Sequence, residues 1–161
     1  MDHNALDISS LAAQLGEDGV AFGTDNPVND IVQRDLKAAL IDVASSPAGR
    51  SGVVVLEQTG QPAGQLRDLA TDVKGLTDLD TVIVRTPAST AAVSDNLSRA
   101  QVEKAQYALI SEPDYAVGLR AFGEEAGGFA VPWALVAIAA LLICFVTAAV
   151  SVATSRRLVN G

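Results

Sequence analysis

Gly52-Val53-Val54-Val55-Leu56 and Thr81-Val82-Ile83-Val84 are the two stretches on which the fold turns. Each is a short, mostly β-branched run bounded by polar or glycine residues, the pattern of a strand buried on both faces. Between them Leu66, Leu69, Ala70 and Val73 recur at helical spacing, and Gly75 closes that helix. Two apolar strands joined by an amphipathic helix make a βαβ unit with a parallel pair, and the crossover is expected to be right-handed.

Toward the N-terminus, Val32, Leu36, Ala39, Leu40 and Val43 mark one face of a longer helix that Ser45, Ser46, Pro47 and Gly49 terminate. The stretch Gly19 to Asn29, with Gly23, Asp25, Asn26 and Pro27, reads as turns. Before it Ile8, Leu11, Ala12 and Leu15 predict a first helix, capped by Asp7 and ending near Gly16. Toward the C-terminus, Pro87 turns the chain and Ser89 to Val93 runs back as a short edge strand. Ser98 and Gln101 form a capping box for a helix with Val102, Ala105 and Leu109 inside. A last helix is expected from Pro113 to about Phe122. The fold class is therefore α/β, with residues 1–122 forming a small sheet and its βαβ unit flanked by helices.

The remainder reads differently. Glycines at 123, 127 and 128 suggest a juxtamembrane hinge over 123–131, and no charged residue occurs from Ala126 to Ser155. Pro132 to Ala153 would reach about 33 Å as a helix, enough for a hydrocarbon core of about 30 Å. A transmembrane helix is thus expected over 132–154, with Trp133 at one interface and Arg156 and Arg157 at the other, in the basic tail 155–161. Ala140, Cys144 and Ala148, with Thr147, Ser151 and Ser155, make a small-residue stripe that permits close helix packing and a weak homodimer.

The tail carries two arginines and no acid, whereas Glu112, Asp114, Glu124 and Glu125 precede the span against Arg120 alone. The positive-inside rule places the tail in the cytoplasm and the acidic domain outside. The rival is a tail-anchored protein with a cytosolic domain, because Met1 to Glu125 contains no apolar export signal. The charge asymmetry tips the balance outward.

Over the whole chain the net charge is −8, but with Arg156 and Arg157 set aside the domain holds 9 basic and 19 acidic residues, 9 − 19 = −10. Such a domain repels nucleic acid and suits cations or basic partners. Its only histidine is His3, near the terminus, and the only cysteine is Cys144, within the apolar run, which leaves no credible Ser-His-Asp or cysteine nucleophile. Asp78-Leu79-Asp80-Thr81-Val82 fits the short pattern of aspartyl-phosphate enzymes, where a carboxylate attacks phosphorus with magnesium beside it. In those enzymes the apolar strand precedes the aspartates; here it follows them, which favours a solvated turn. Asp18, Asp25, Asp30 and Asp95, with Asn26 and Asn96, offer oxygen ligands of the kind calcium takes, without any fixed loop spacing. There is no Walker loop, dinucleotide fingerprint or GxSxG elbow.

Gln65-Leu66-Arg67-Asp68-Leu69-Ala70-Thr71-Asp72-Val73, Thr81-Val82-Ile83-Val84-Arg85-Thr86-Pro87, and Val93-Ser94-Asp95 leading to Ser98-Arg99-Ala100-Gln101-Val102-Glu103 resemble a family of single-pass membrane proteins from mycobacteria and corynebacteria. Its members lie beside genes for secreted NlpC/P60 peptidoglycan hydrolases. The soluble part is similar, more remotely, to TPM domains, small α/β domains that in some cases bind divalent metal or hydrolyse phosphate esters weakly. That resemblance carries over Asp95 as a metal ligand for Ca2+ or Mg2+, although Ala91-Ala92-Val93 replaces the glycine-rich sequence usual before that acid. The resemblance implies a non-enzymatic cell-membrane interaction domain. Its partners would be the lipid bilayer and an envelope protein, a cell-wall hydrolase or its regulator, linking it to peptidoglycan hydrolysis or cell division. The alternative is a TPM-like divalent-metal domain with weak phosphatase activity and no other cofactor.

Overall fold

In the computed structural model, which describes residues 7–128 together with 138, 141 and 142, β2 (Ser51–Val55) and β3 (Thr81–Arg85) are buried along their whole length. They pair in parallel, with Val53 opposite Ile83 and Val54 opposite Val84. Their side chains alternate between two faces, and both faces are apolar, so each needs a helical cover. One face presents Val20, Val53, Ile83 and Ala92 to α2 (Asn29–Ala44), α4 (Arg99–Ser111) and α5 (Tyr115–Gly127). The other presents Ala21, Val54, Val82 and Val84 to α1 (Ile8–Asp18) and α3 (Ala63–Lys74). Each fully buried Val, Leu or Ile contributes about 1.5–3 kcal/mol of transfer free energy.

The turn reading of Gly19 to Asn29 needs one correction: Val20–Phe22 is a strand, β1, parallel to β2 with Val20 opposite Val53. Three residues are too few to show a period, and the polar stretch after them masks the signal. The junction is made by Gly19, whose φ of 80° ends α1 in a left-handed conformation and whose carbonyl accepts from the Val53 N–H at 2.8 Å. Helix α1 therefore passes Gly16 and stops at the glycine that supplies the positive φ. β4 (Thr90–Ser94) runs antiparallel to β3 at the edge, as expected, and the four-stranded order is β1-β2-β3-β4.

This order fixes a point of handedness. β1, β2 and β3 are parallel and advance in one direction across the sheet, yet α2 lies on one face and α3 on the other. The crossovers β1-α2-β2 and β2-α3-β3 consequently have opposite hands, so one of them is left-handed, against the strong right-handed preference of such units.

The last helix also departs from expectation. Asp114, in extended conformation, accepts from the Ala116 and Val117 N–H groups at 2.9 Å, so α5 starts at Tyr115 and Pro113 stands outside it. A carboxylate that satisfies two orphan donors decides the start more strongly than proline at a permitted position. The helix continues past Phe122 to Gly127, because Leu119, Phe122 and Ala126 extend one buried stripe. Gly123 and Gly127, read as part of a hinge, belong to it. Gly123 lets α5 approach α2: a Cβ there would stand 3.3 Å from the Val43 Cα.

Among the described residues no helix is long and apolar enough to cross a membrane. The span expected over 132–154 lies outside the described residues except for Ile138, Leu141 and Leu142, which are helical and exposed.

Gly118 provides a test of the α4–α5 packing. A Cβ there would come within 2.8 Å of the Leu109 carbonyl oxygen, so Gly118→Ala should destabilise the domain by about 1–3 kcal/mol. Gly64, in α3 with open space around it, should be neutral or up to ~1 kcal/mol more stable as Gly64→Ala. Thermal unfolding followed by circular dichroism compares the two; equal shifts would refute the close-approach account.

Candidate functional site

Because β1 and β2 are parallel, their carboxyl ends open on the same side of the sheet, the place where open α/β sheets receive ligands. Phe22 at the end of β1 and Val55, Leu56 and Glu57 at the end of β2 floor a cleft of about 440 Å3. The N-terminal turns of α2 and α5 form its sides, through Val28, Val32 and Leu36 on one and Tyr115 and Ala116 on the other. Its size falls within the range of about 300–1,000 Å3 usual for ligand pockets. Val28 and Ile31 stand at the first turn of α2, 57% and 63% exposed.

The polar lining is one-sided. Asp35, Glu57 and Asp114 contribute carboxylates and Asn26 and Asn29 amides, with no lysine, arginine or histidine among the described residues of the lining. The amides are engaged in shaping the loop. Asn26 donates to Glu57 Oε1 at 2.7 Å and accepts from the Val28 N–H, while Asn29 donates to the Thr24 carbonyl at 2.7 Å. These bonds hold the 23–28 segment in place and leave Val28 facing outward.

Behind Tyr115 lies a buried cation that the sequence reading passes over. Arg85, 2% exposed, closes β3 and donates to the carbonyls of Thr86 and Glu112, with its Cζ 4.7 Å from the centre of the Tyr115 ring. Among the described residues no carboxylate pairs with it, and its Nε lacks a hydrogen-bond partner. Burial lowers the guanidinium below its ordinary value, with Tyr115 opposing that shift. Burial likewise pushes the Tyr115 phenol up, and the nearby Arg85 charge pulls it partly back. The arrangement ties the end of β3 to the end of α4 and the start of α5, and so sets one wall of the cleft.

The four acids read as oxygen ligands, Asp18, Asp25, Asp30 and Asp95, do not come together, although the Asp95 N–H donates to the Asp80 carbonyl at 3.0 Å. Asp95 is exposed and paired with Lys74, at the end of β4 beside the start of β3. Asp18 accepts from Gln33 at 2.6 Å and Lys37 at 3.0 Å, joining the end of α1 to α2. Asp25 and Asp30 are exposed beyond the opposite, carboxyl end of β1. Among the described residues no three His, Cys, Asp or Glu side chains are grouped to hold a metal. Asp80 of the phosphotransferase-like pattern is a clasp: its carboxylate accepts from the Arg50 N–H at 2.7 Å while its own N–H donates to the Arg50 carbonyl at 2.8 Å. Trp133, Ala140, Cys144, Ala148, Arg156 and Arg157 lie outside the described residues.

Two substitutions probe the Arg85 clamp. Arg85→Met keeps the bulk but strands buried carbonyls, at about 1–3 kcal/mol each, so the domain should lose at least ~2 kcal/mol. For Tyr115 the sign follows from the raised phenol: the neutral ring is favoured in the fold, so its contribution is whole below the free phenol value of about 10 and is lost as pH rises beyond it. Tyr115→Phe should therefore flatten the alkaline fall in stability. An unchanged pH profile would mean that Tyr115 ionises as freely in the fold as in the unfolded chain.

Comparison with known proteins bears on the whole chain. No curated protein matches it. Among solved structures it is similar to the N-terminal domain of the cg2496 protein from Corynebacterium glutamicum, determined by solution NMR. The identity is 19%, the match covers 70% of this chain and 79% of that one, and the TM-score is 0.48. The family model described as membrane protein Rv1476 matches residues 3–160. With that match running over almost every residue, the chain belongs to the Rv1476 family of membrane proteins.

Proposed function

We propose that this protein is a membrane-anchored interaction domain of the cell envelope, without catalysis of its own, that docks a partner protein in the cleft between α2 and α5. The observation that carries this reading is the cleft itself: an open, mainly apolar depression at the ligand-binding end of the sheet. Its polar groups are poor candidates for chemistry. Asp114 is held as a helix cap, Glu57 is bonded to Asn26, and the only histidine and cysteine of the chain are His3 and Cys144, remote in sequence from the lining. Metal-dependent phosphatase chemistry at Asp95 draws no support from its surroundings, an exposed carboxylate paired with Lys74.

The anchor in this proposal is the apolar segment 132–154, with the acidic domain outside and Arg156 and Arg157 inside. Its support is membership of a membrane-protein family and the charge asymmetry around the segment. The partner class, a cell-wall hydrolase or its regulator, rests on the family resemblance and on the acidic character of the domain.

Two measurements test the proposal. A photo-crosslinking residue at Val28 should yield one discrete adduct with an envelope protein in intact cells, whereas the same residue at Tyr107, 75% exposed on α4, should not. Equal labelling from both positions, or none from Val28, would overturn docking in the cleft. Protease added to intact cells should remove the N-terminal domain and spare a C-terminal reporter; protection of the domain until lysis would reverse the orientation.

A further inference from the structure

We infer that the cleft takes a cationic segment of its partner, one that seats an aliphatic or aromatic side chain on the floor and sets lysine or arginine side chains against the rim. This deepens the docking reading and rests on it. The floor at Phe22, Leu36 and Val55 is apolar, and Asp35, Glu57 and Asp114 stand around it with no cation among the described lining residues. None of these three carboxylates is paired with a cation among the described residues. Asp35 is exposed and forms no ion pair among the described residues, Glu57 accepts from the neutral Asn26 amide, and Asp114 accepts from backbone N–H groups. The five ion pairs among the described residues all lie elsewhere, at Asp18, Asp42, Asp95, Glu103 and Glu125. The buried cation Arg85 is sealed behind Tyr115 and committed to carbonyls, and Arg34, exposed beside Asp35 in α2, forms no ion pair with that carboxylate among the described residues. An apolar floor bordered by carboxylates without cationic partners complements an apolar anchor flanked by positive charge, and an acidic domain of net −10 steers such a segment toward it.

The experiment uses the full-length chain in phosphatidylcholine nanodiscs and fluorescent dodecapeptides with a central leucine or phenylalanine anchor flanked by lysine, serine or glutamate. Binding by anisotropy should rank lysine above serine above glutamate, and replacing the anchor by serine should weaken the lysine peptide about tenfold, equivalent to about 1.4 kcal/mol. Asp35→Asn with Glu57→Gln should weaken the lysine peptide by about threefold to twentyfold, in keeping with exposed charge pairs, and should reduce its salt dependence and remove most of its advantage over serine, Asp114 retaining the remainder. Asp68→Asn with Asp72→Asn, exposed on α3 across the sheet, should leave that advantage intact, which separates rim recognition from the general charge of the domain. Equal binding of lysine and serine peptides, or a lysine preference undiminished in the rim variant, would overturn the inference; so would failure of every peptide. If the Val28 crosslinker still captures its partner in those cases, docking in the cleft stands and only the cationic occupant falls; if it captures nothing, both fall.

Discussion

A strand with no polar face is the constraint from which this structure follows. β2 and β3 are buried residue by residue, so neither side of the sheet tolerates water and both need a helical layer. Five helices among the described residues divide between the two faces, and that division forces the adjacent crossovers β1-α2-β2 and β2-α3-β3 into opposite hands. The arrangement also explains the location of the cleft. The parallel strands deliver their carboxyl ends to one edge of the sheet, where α2 begins and where the return from α4 brings the start of α5. Neither helix covers Phe22 completely, and Val28 stands exposed beside it, so apolar surface remains at the cleft.

The features legible in the sequence are those carried by periodicity or by a short-range cap. Leu66, Ala70 and Val73 declare α3, the Ser98–Gln101 box declares α4, and Asp7 caps α1 through the N–H groups of Ser9 and Ser10. The missed features depend on partners distant in the chain. Strand β1 has three residues and exists because Val20 to Phe22 find Val53 to Val55. The true end of α5 is set by its buried stripe against α2 and α4, and by Gln101 donating to the Ala126 carbonyl at 3.1 Å.

The same distinction governs the site. Carboxylates are conspicuous in a sequence, and Asp18, Asp80 and Asp95 draw attention as chemistry; in the structure each serves a local bond, to Lys37 and Gln33, to Arg50, and to Lys74. The cleft is legible from no motif, since its floor comes from two strand ends and its walls from helices about 80 residues apart in the chain. Arg85 was equally silent: an arginine at the end of an apolar strand reads as a polar terminus until the carbonyls of Thr86 and Glu112 and the Tyr115 ring close around it. Its burial is the one signal that would have distinguished it, and burial is a property of the assembled fold.

Binding surfaces lose affinity when they must be ordered on contact, and this cleft is already ordered on both walls. On one side Asn26 and Asn29 hold the 23–28 segment through bonds to Glu57 and Thr24. On the other, Arg85 holds the first turn of α5 in place through Tyr115, and Asp114 caps the same turn. Exposure of Val28 and Ile31 leaves some apolar surface in water at about 25 cal/mol per Å2, a modest cost that the domain also bears at Ile41, Leu76, Tyr107 and Val117. Moving the first turn of α5 inward would pull Arg85 from the buried carbonyls it satisfies, a larger cost than leaving two aliphatic side chains wet. With that wall fixed, a partner entering the cleft would meet a surface already shaped and lose ordering entropy chiefly of its own.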